Sequence, residues 1–264
     1  LLFDINHLKS ALIDSAFISD IIYLPEINST NAYAKIQDGD KDNLLIITDY
    51  QTEGRGRYGR IWQSEPDKNL TFSIKKKFDI TNKEAQYINF FFTYCTIEAL
   101  DNFLSENNKE QPYDLELKWP NDILLNGKKL SGFLIQEDSS SGSYVIGCGL
   151  NVNQTEFSKD FEFKTTSLKI VFNKEFIITC LLEAIIKKID ELLPLLMEKR
   201  FDEIFNLWTK YFNMRGKEIV YTNNAKFIGK AKVVDIQKDG GLQIIENEVF
   251  KVIYSGDIRI LYQN

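Results

Sequence analysis

A single histidine, His7, is all that 264 residues offer, and it stands near the start of the chain. Ser-His-Asp and Cys-His mechanisms therefore have almost nothing to work with, since a lone histidine is more often structural or on the surface. Cysteine is nearly as scarce: Cys95, Cys148 and Cys180 stand far apart, with no CxxC spacing and no neighbouring histidine. That pattern suggests neither a zinc site nor a disulfide framework, and points to a reducing, cytoplasmic chain. No apolar run approaches the roughly 18 residues of a membrane span, and the opening "LLFDINHLKSALIDS" lacks the basic start and cleavage signal of a secretory leader. Positive charge is also in deficit. A formal net charge of -6 disfavours a general nucleic-acid or membrane-surface protein.

What is present suits a globular fold. A hydrophobic fraction of 44% in a chain of this length supports one large domain, or one domain with a small appendage. "IIYLPEINSTNAYAKIQDGD" reads as a short strand followed by a helix from near Thr30, capped by Asn28 or Ser29 and closing at Gly39. "NLLIITDY" and "NLTFSIKKKF" read as strands, and "EAQYINFFFTYCTIEALDNFLSE" as a helix. "LELKWPNDILLNGKKLSGFLIQED" predicts three strands punctuated at Pro120 and Gly127, with "SYVIGCGLNVN" a further strand. Residues 175–212 predict two amphipathic helices, broken or kinked near Pro194. Beyond Met214 the pattern changes to short strands with turn signals at Asn223-Asn224, Asp239-Gly240-Gly241 and Ser255-Gly256. These read as a small SH3-like β-barrel.

Two segments carry chemistry. Residues 54 to 60, "GRGRYGR", interleave three glycines with three arginines, and arginine is almost never buried unpaired. Between two strands, such a segment offers backbone N–H groups that approach an anion closely and guanidinium forks that grip phosphate or carboxylate. Its spacing fits neither GxxxxGK[ST] nor GxGxxG, so it is not a P-loop or a dinucleotide fingerprint. A solvated or RNA-contacting loop is the plainer alternative, which the single, strand-flanked copy disfavours. The second segment is "LKWPNDILLNGKKLSGFL". Turn preference explains Pro120 and Asn126-Gly127, but a lysine, an amide and a carboxylate at Lys118, Asn121 and Asp122 suit a nucleotide site. Tryptophans beside turns are more often core, which weakens any such reading of Trp62 and Trp119.

Taken in order, "STN", "QTEGRGRYGRIW", "KWPNDILLNGKKLSGFL", "GCGLNVN" and "TTSL" resemble the blocks of the biotin protein ligases, from about Ile21 to the C-terminus. The combination of the arginine loop with "KWPND" and "KLSG" is the specific part. The resemblance implies an α+β fold: a mixed-sheet catalytic domain of the biotin/lipoate ligase type over 1–213, and the SH3-like barrel over 214–264. It implies a ligase that condenses biotin with ATP, with Mg²⁺, to biotinyl-5′-AMP and then passes the biotinyl group to a lysine of a biotin carboxyl carrier protein. Biotin would be held by Ser29, Thr30, Asn31, Gln51, Arg55, Gly56, Arg57, Lys129 and Gly132. The nucleotide would be held by Arg57, Trp62, Lys118, Asn121, Lys129, Asn151 and Ser167. Catalysis would fall to Arg55, Arg57, Lys118, Asp122 and Lys129, with Asp122 orienting the incoming amine or accepting its proton. No protein ligands to the metal are assigned.

Some members of that family carry a winged helix-turn-helix ahead of the core. Only about twenty residues precede the first core strand here, so no DNA binding is expected, and no membrane association. The resemblance leaves room for a homodimer. It also leaves room for a binding module without turnover, which the intact arginines and lysines disfavour, and for lipoate or octanoate in place of biotin. A loop with three glycines is costly to fix, so "EGRGRYGR" is expected to be mobile until a bound anion orders it.

Overall fold

The computed structural model describes residues 3–37, 42–108, 111–158, 164–223 and 226–261. A mixed seven-stranded sheet carries the site. Its strands are β1 (Asp20–Ile27), β2 (Leu44–Gln51), β3 (Leu70–Lys77), β4 (Leu115–Lys118), β5 (Asp122–Leu125), β6 (Lys128–Asp138) and β7 (Ser143–Leu150), in the spatial order β1-β2-β3-β7-β6-β5-β4. Only β1 and β2 run parallel; every other pair is antiparallel.

Alternation along the strands assigns the two faces. On β2, Leu45 and Ile47 enter the main core, whereas Leu44 and Ile46 pack with Ala34 and Val145 in a small separate cluster. The main core is covered by α3 (Gln86–Asn107), which is apolar almost all round, with Ile88, Phe91, Cys95, Leu100 and Leu104 buried along its length. Outside α3 lie α5 (Ile178–Met197) and α6 (Phe201–Thr209), both strongly amphipathic. Among the described residues the opposite face carries the short α2 (Thr30–Lys35), packed on β2, β3 and β7. A thin cover on one face leaves room there for a cavity.

Several expectations need adjusting. Ser29 is the cap of α2, with its Oγ 3.4 Å from the Ala32 N–H, while the Asn28 side chain accepts from the Ser29 N–H at 2.7 Å. Gly39 and Asn224 lie outside the described residues. Pro194 does not break its helix: α5 runs through it to Met197, with the proline leaving the Asp190 carbonyl without its i→i−4 donor. The chain turns instead at Lys199, in the left-handed region at φ 56°. A helix that the sequence pattern does not announce, α1 (Ile5–Ala11), is held against α5 by the Asp4 N–H donating to Thr179 Oγ1 at 2.7 Å. A short α4 (Leu168–Phe172) lies between β7 and α5 in the chain.

The C-terminal part is a separate five-stranded antiparallel sheet of β8 (Glu218–Asn223), β9 (Lys226–Ile236), β10 (Leu242–Glu246), β11 (Val249–Ile253) and β12 (Asp257–Ile260), ordered β11-β10-β9-β8-β12. Turns stand at the expected Asp239-Gly240-Gly241 and Ser255-Gly256, and at Asn247-Glu248, both with positive φ. Among the described residues this sheet has no core of its own. Met214, Ile219, Val233 and Leu242 join the same cluster as Trp119 and α3.

Candidate active site

A cavity of about 820 Å³ opens on the α2 side of the large sheet, between the Gly/Arg loop and the C-terminal sheet. Its floor consists of side chains that are small or missing. Gly132, Gly149 and Thr71 are cross-strand neighbours on β6, β7 and β3, and the adjacent row is Leu134, Gly147 and Ser73. A Cβ on Gly147 would overlap Asn31 Oδ1, and one on Gly149 would overlap the Trp62 indole. The glycines are therefore required by close approach of the cavity walls.

At one end stands the first turn of α2. Thr30 donates through both its N–H and its hydroxyl to Gln51 Oε1, at 2.8 and 3.0 Å. Asn31 Nδ2 donates to the Leu134 carbonyl at 3.0 Å, and the Ser73 hydroxyl lies 2.6 Å from Asn31 Oδ1. Thr30, Asn31 and Gln51 are buried and interlocked, so their polar groups keep fixed directions on the cavity wall.

In the middle is an ion triad. Asp122 receives Lys129 Nζ on Oδ1 at 2.7 Å and Lys118 Nζ on Oδ2 at 3.0 Å. A β-bulge creates it: Ile123 pairs with Ser131 but Leu124 with Lys129, so Leu130 is skipped and turns into the core. Strict alternation would have sent Lys129 to the far face with Ser131; the extra residue brings it to the cavity beside Gly132. Burial alone would raise the Asp122 carboxyl, but the two ammonium groups outweigh it and hold Asp122 well below the usual carboxylate range. Lys129 also lies 5.5 Å from the centre of the Trp62 ring. Two buried polar atoms on the wall have no partner among the described residues: Trp62 Nε1, a donor, and Asn151 Oδ1, an acceptor. Buried polar atoms are nearly always paired, so these two mark where a ligand would supply the partner.

The Gly/Arg loop folds into a tight hairpin. The Gly56 N–H donates to the Arg60 carbonyl at 2.7 Å and the Trp62 N–H to Gly54 at 2.9 Å, with Tyr58 at φ 56° and Gly59 at φ 72° at the tip. Its tip is tied to the C-terminal sheet. Tyr58 Oη accepts from the Gly256 N–H at 2.9 Å, Arg57 donates to the Gly256 carbonyl at 3.2 Å, and Arg60 pairs with Asp257 at 2.8 Å. The side chain of Arg55 has no hydrogen-bond or ionic partner among the described residues, and lines the cavity. Seven cations face the cavity (Arg55, Arg57, Arg60, Lys118, Lys129, Lys164 and Arg259), against the carboxylates Asp122 and Asp257. A pocket so charged, with a trough of fixed polar groups at one end, suits an acid joined to a polyphosphate.

Residues 23–153, which contain this trough, triad and loop, match the Biotin/lipoate A/B protein ligase family. The chain belongs to that family. Within it, the chain is 29% identical over 253 residues to the bifunctional ligase/repressor BirA of Bacillus subtilis, covering 91% of this chain and 74% of that protein. It is 32% identical over 132 residues to the biotin--[acetyl-CoA-carboxylase] ligase of Mycobacterium tuberculosis, which is 49% of this chain and 48% of that one. Among solved structures, biotin protein ligase from Aquifex aeolicus in complex with biotin and ATP superposes with a TM-score of 0.78 at 28% identity, covering 93% of this chain and 100% of that chain.

Of the residues that the biotin ligase resemblance singles out, Ser29, Thr30, Asn31, Gln51, Arg55, Gly56, Arg57, Trp62, Lys118, Asn121, Asp122, Lys129, Gly132 and Asn151 all lie on this one cavity. Ser167 does not. It is fully buried, and its Oγ accepts from the Ile170 N–H at 3.1 Å as the cap of α4. Trp119 is core, 2% exposed, with its indole N–H on the Gly240 carbonyl at 2.9 Å. His7 is on the surface, paired with Glu183. Sequence reasoning missed Arg60, Gly147, Gly149 and the contribution of the C-terminal sheet through Thr222, Asp257 and Arg259. The alternation Gly147-Cys148-Gly149 was the available signal for two of them, since glycines two apart on a strand clear one face. Nothing in the sequence joins β12 to the loop.

Proposed function

We propose that this chain is a biotin protein ligase, activating biotin with ATP to biotinyl-5′-AMP and passing the biotinyl group to a lysine of a biotin carboxyl carrier protein. The observation that carries this reading is the single cavity that places the polar first turn of α2, the Lys118–Asp122–Lys129 triad and the arginine loop around one space. Biotin would lie in the trough bounded by Asn31 and Trp62 where they close onto Gly147 and Gly149, with Ser29, Thr30, Asn31 and Gln51 around its ring system. Its carboxylate would meet Lys129, with Gly132 beneath. Trp62, Asn121 and Asn151 would hold the nucleotide. Attack of a carboxylate oxygen on the α-phosphorus joins two anions, and Arg55, Arg57, Lys118 and Lys129 offset the repulsion as pyrophosphate leaves.

In the second step the lysine nitrogen attacks the activated carboxyl carbon, the bond to AMP breaks, and the nitrogen sheds its protons. A carboxylate held as low as Asp122 is a poor proton acceptor. Asp122 therefore acts by fixing Lys118 and Lys129 and by orienting the amine. Mg²⁺ belongs to the reading as MgATP, a substrate. We divide the chain into a catalytic unit, 1–213, and a C-terminal unit, 214–264. A cytoplasmic setting suits its three free cysteines, and no described helix is long and apolar enough to cross a membrane.

Incubation with biotin, MgATP and a carrier domain, followed by mass spectrometry, tests the reading. One added biotinyl group on one lysine is expected. Pyrophosphate release with lipoate or octanoate but not biotin would overturn it.

A further inference from the structure

A second cleft, of about 460 Å³, lies beside the reaction cavity and shares Arg57, Asn121 and Phe133 with it. Its charge is opposite. Where the reaction cavity is faced by seven cations, this cleft carries the carboxylates of Glu137 and Asp239 against a single cation, Arg57, among the described residues. That cation is already drawn toward Asp257 at 3.8 Å and spends a hydrogen bond on Gly256. Glu137 has no hydrogen-bond or ionic partner among the described residues; Asp239 accepts from Tyr254 Oη at 3.0 Å and from the Gly241 N–H at 3.1 Å. Tyr254 stands at the rim, 62% exposed.

We infer that this cleft is the approach for the acceptor lysine, with Glu137 and Asp239 as positioning residues for its ammonium group. The inference rests on the ligase reading. An ammonium group is repelled from a mouth lined by arginine and lysine, whereas biotin and ATP are drawn to it. Two substrates of opposite charge must meet at one carbon, and the molecule presents two openings of opposite charge that converge at Asn121. A lysine stem is long, apolar and tipped by a cation, which fits a cleft with Phe133 along its wall and carboxylates on its rim. At the inner end the amine, having lost one proton to water, attacks the acyl carbon; the C–N bond forms as the C–O bond to AMP breaks, AMP leaves with the bonding pair, and the second proton passes from the nitrogen to water. Exposed Tyr254 would meet the backbone flanking the lysine.

The two amine classes separate this from a general effect. Enzyme loaded with biotinyl-5′-AMP is discharged either by n-butylamine, a cation that mimics the lysine side chain, or by hydroxylamine, largely uncharged at neutral pH. In Glu137→Lys, discharge by n-butylamine and the apparent affinity for a biotin carboxyl carrier domain are expected to fall about tenfold. Hydroxylamine discharge and pyrophosphate release stay at parent values. Asp239→Asn keeps the turn acceptor and is expected to show a smaller loss of the same kind. Should Glu137→Lys fail to fold, Glu137→Gln replaces it, and its butylamine rate must depend less steeply on salt than the parent's. Equal butylamine rates and salt slopes in the parent and all variants overturn the inference while leaving the ligase reading standing. A parent enzyme that releases no pyrophosphate with biotin and MgATP overturns both.

Discussion

Lys129 is the residue on which the site turns, since it touches the carboxylate of Asp122 and the face of Trp62 and reaches the cavity only through the bulge at Leu130. Removing a charge that faces a developing phosphoryl anion costs on the order of 3 kcal/mol in the barrier, or about a hundredfold. Lys129→Ala is therefore expected to slow pyrophosphate release about a hundredfold. Its melting temperature should change little, because Lys118 still neutralises Asp122. Parent-like adenylation by a folded Lys129→Ala protein would remove the residue from the site. Gly149→Ala makes the complementary test without touching charge. The new methyl group has no room beside the indole of Trp62, which must swing away and give up its stacking under Lys129. A red-shifted, solvent-quenched tryptophan emission should accompany a raised KM for ATP; an unchanged spectrum with unchanged KM would show that the wall yields elsewhere.

Among the elements, the Gly/Arg hairpin is the one whose role depends on what it is tied to. Arg57 and Tyr58 hold Gly256, and Arg60 holds Asp257, so the hairpin spans from the large sheet to the small one over the mouth of the cavity. Losing one charge-assisted contact to a phosphate, worth roughly 1.5 to 3 kcal/mol, speeds escape of a bound anion about tenfold to more than a hundredfold. In Arg57→Gly the hairpin also loses one tie to β12, while Arg55 and Lys129 remain. Adenylation is expected to continue, weakened, and the reactive intermediate to leave and label bystander lysines. A streptavidin blot against an unrelated protein measures this, and no excess over the parent despite measurable adenylation would refute it. The sequence made the hairpin's chemistry legible, because interleaved Gly and Arg have no place in a core. It could not disclose the hairpin's partner, since Gly256 is about two hundred residues away and a hydrogen bond to its backbone leaves no compositional trace. Lys129 was legible only through family resemblance: by alternation alone it points to the wrong face, and a one-residue bulge has no signature in "NGKKLSG". Ser167 is a different case, a serine in a familiar block that lies off the cavity, its hydroxyl oxygen accepting from the Ile170 N–H as the cap of α4.

Taken whole, the molecule has two sheets that share one main core. Trp119, just before the Pro120-Asn121-Asp122 turn, donates its backbone N–H toward Met214 Sδ and its indole N–H to Gly240, so the C-terminal sheet bears directly on the segment that carries the triad. The Lys217–Glu116 ion pair adds a second tie on β4, and there burial, the largest influence, leaves the Glu116 carboxyl above its ordinary value. With no separate core beneath β8–β12, the two units should not melt apart. Scanning calorimetry is expected to show one transition with matching calorimetric and van't Hoff enthalpies; two resolved transitions would establish independent domains. The floor of the cavity, finally, has a bearing on how this enzyme can change over evolutionary time. Where Gly132, Gly147 and Gly149 lie, the side chains of Lys129, Asn31 and Trp62 close directly onto the backbone, and every substitution available to the genetic code must push one of them into the cavity. A lineage under selection for a bulkier acid has nothing left to remove there and must carve its room from Leu134 or from the loop, whereas a lineage narrowing its diet can do so in a single codon.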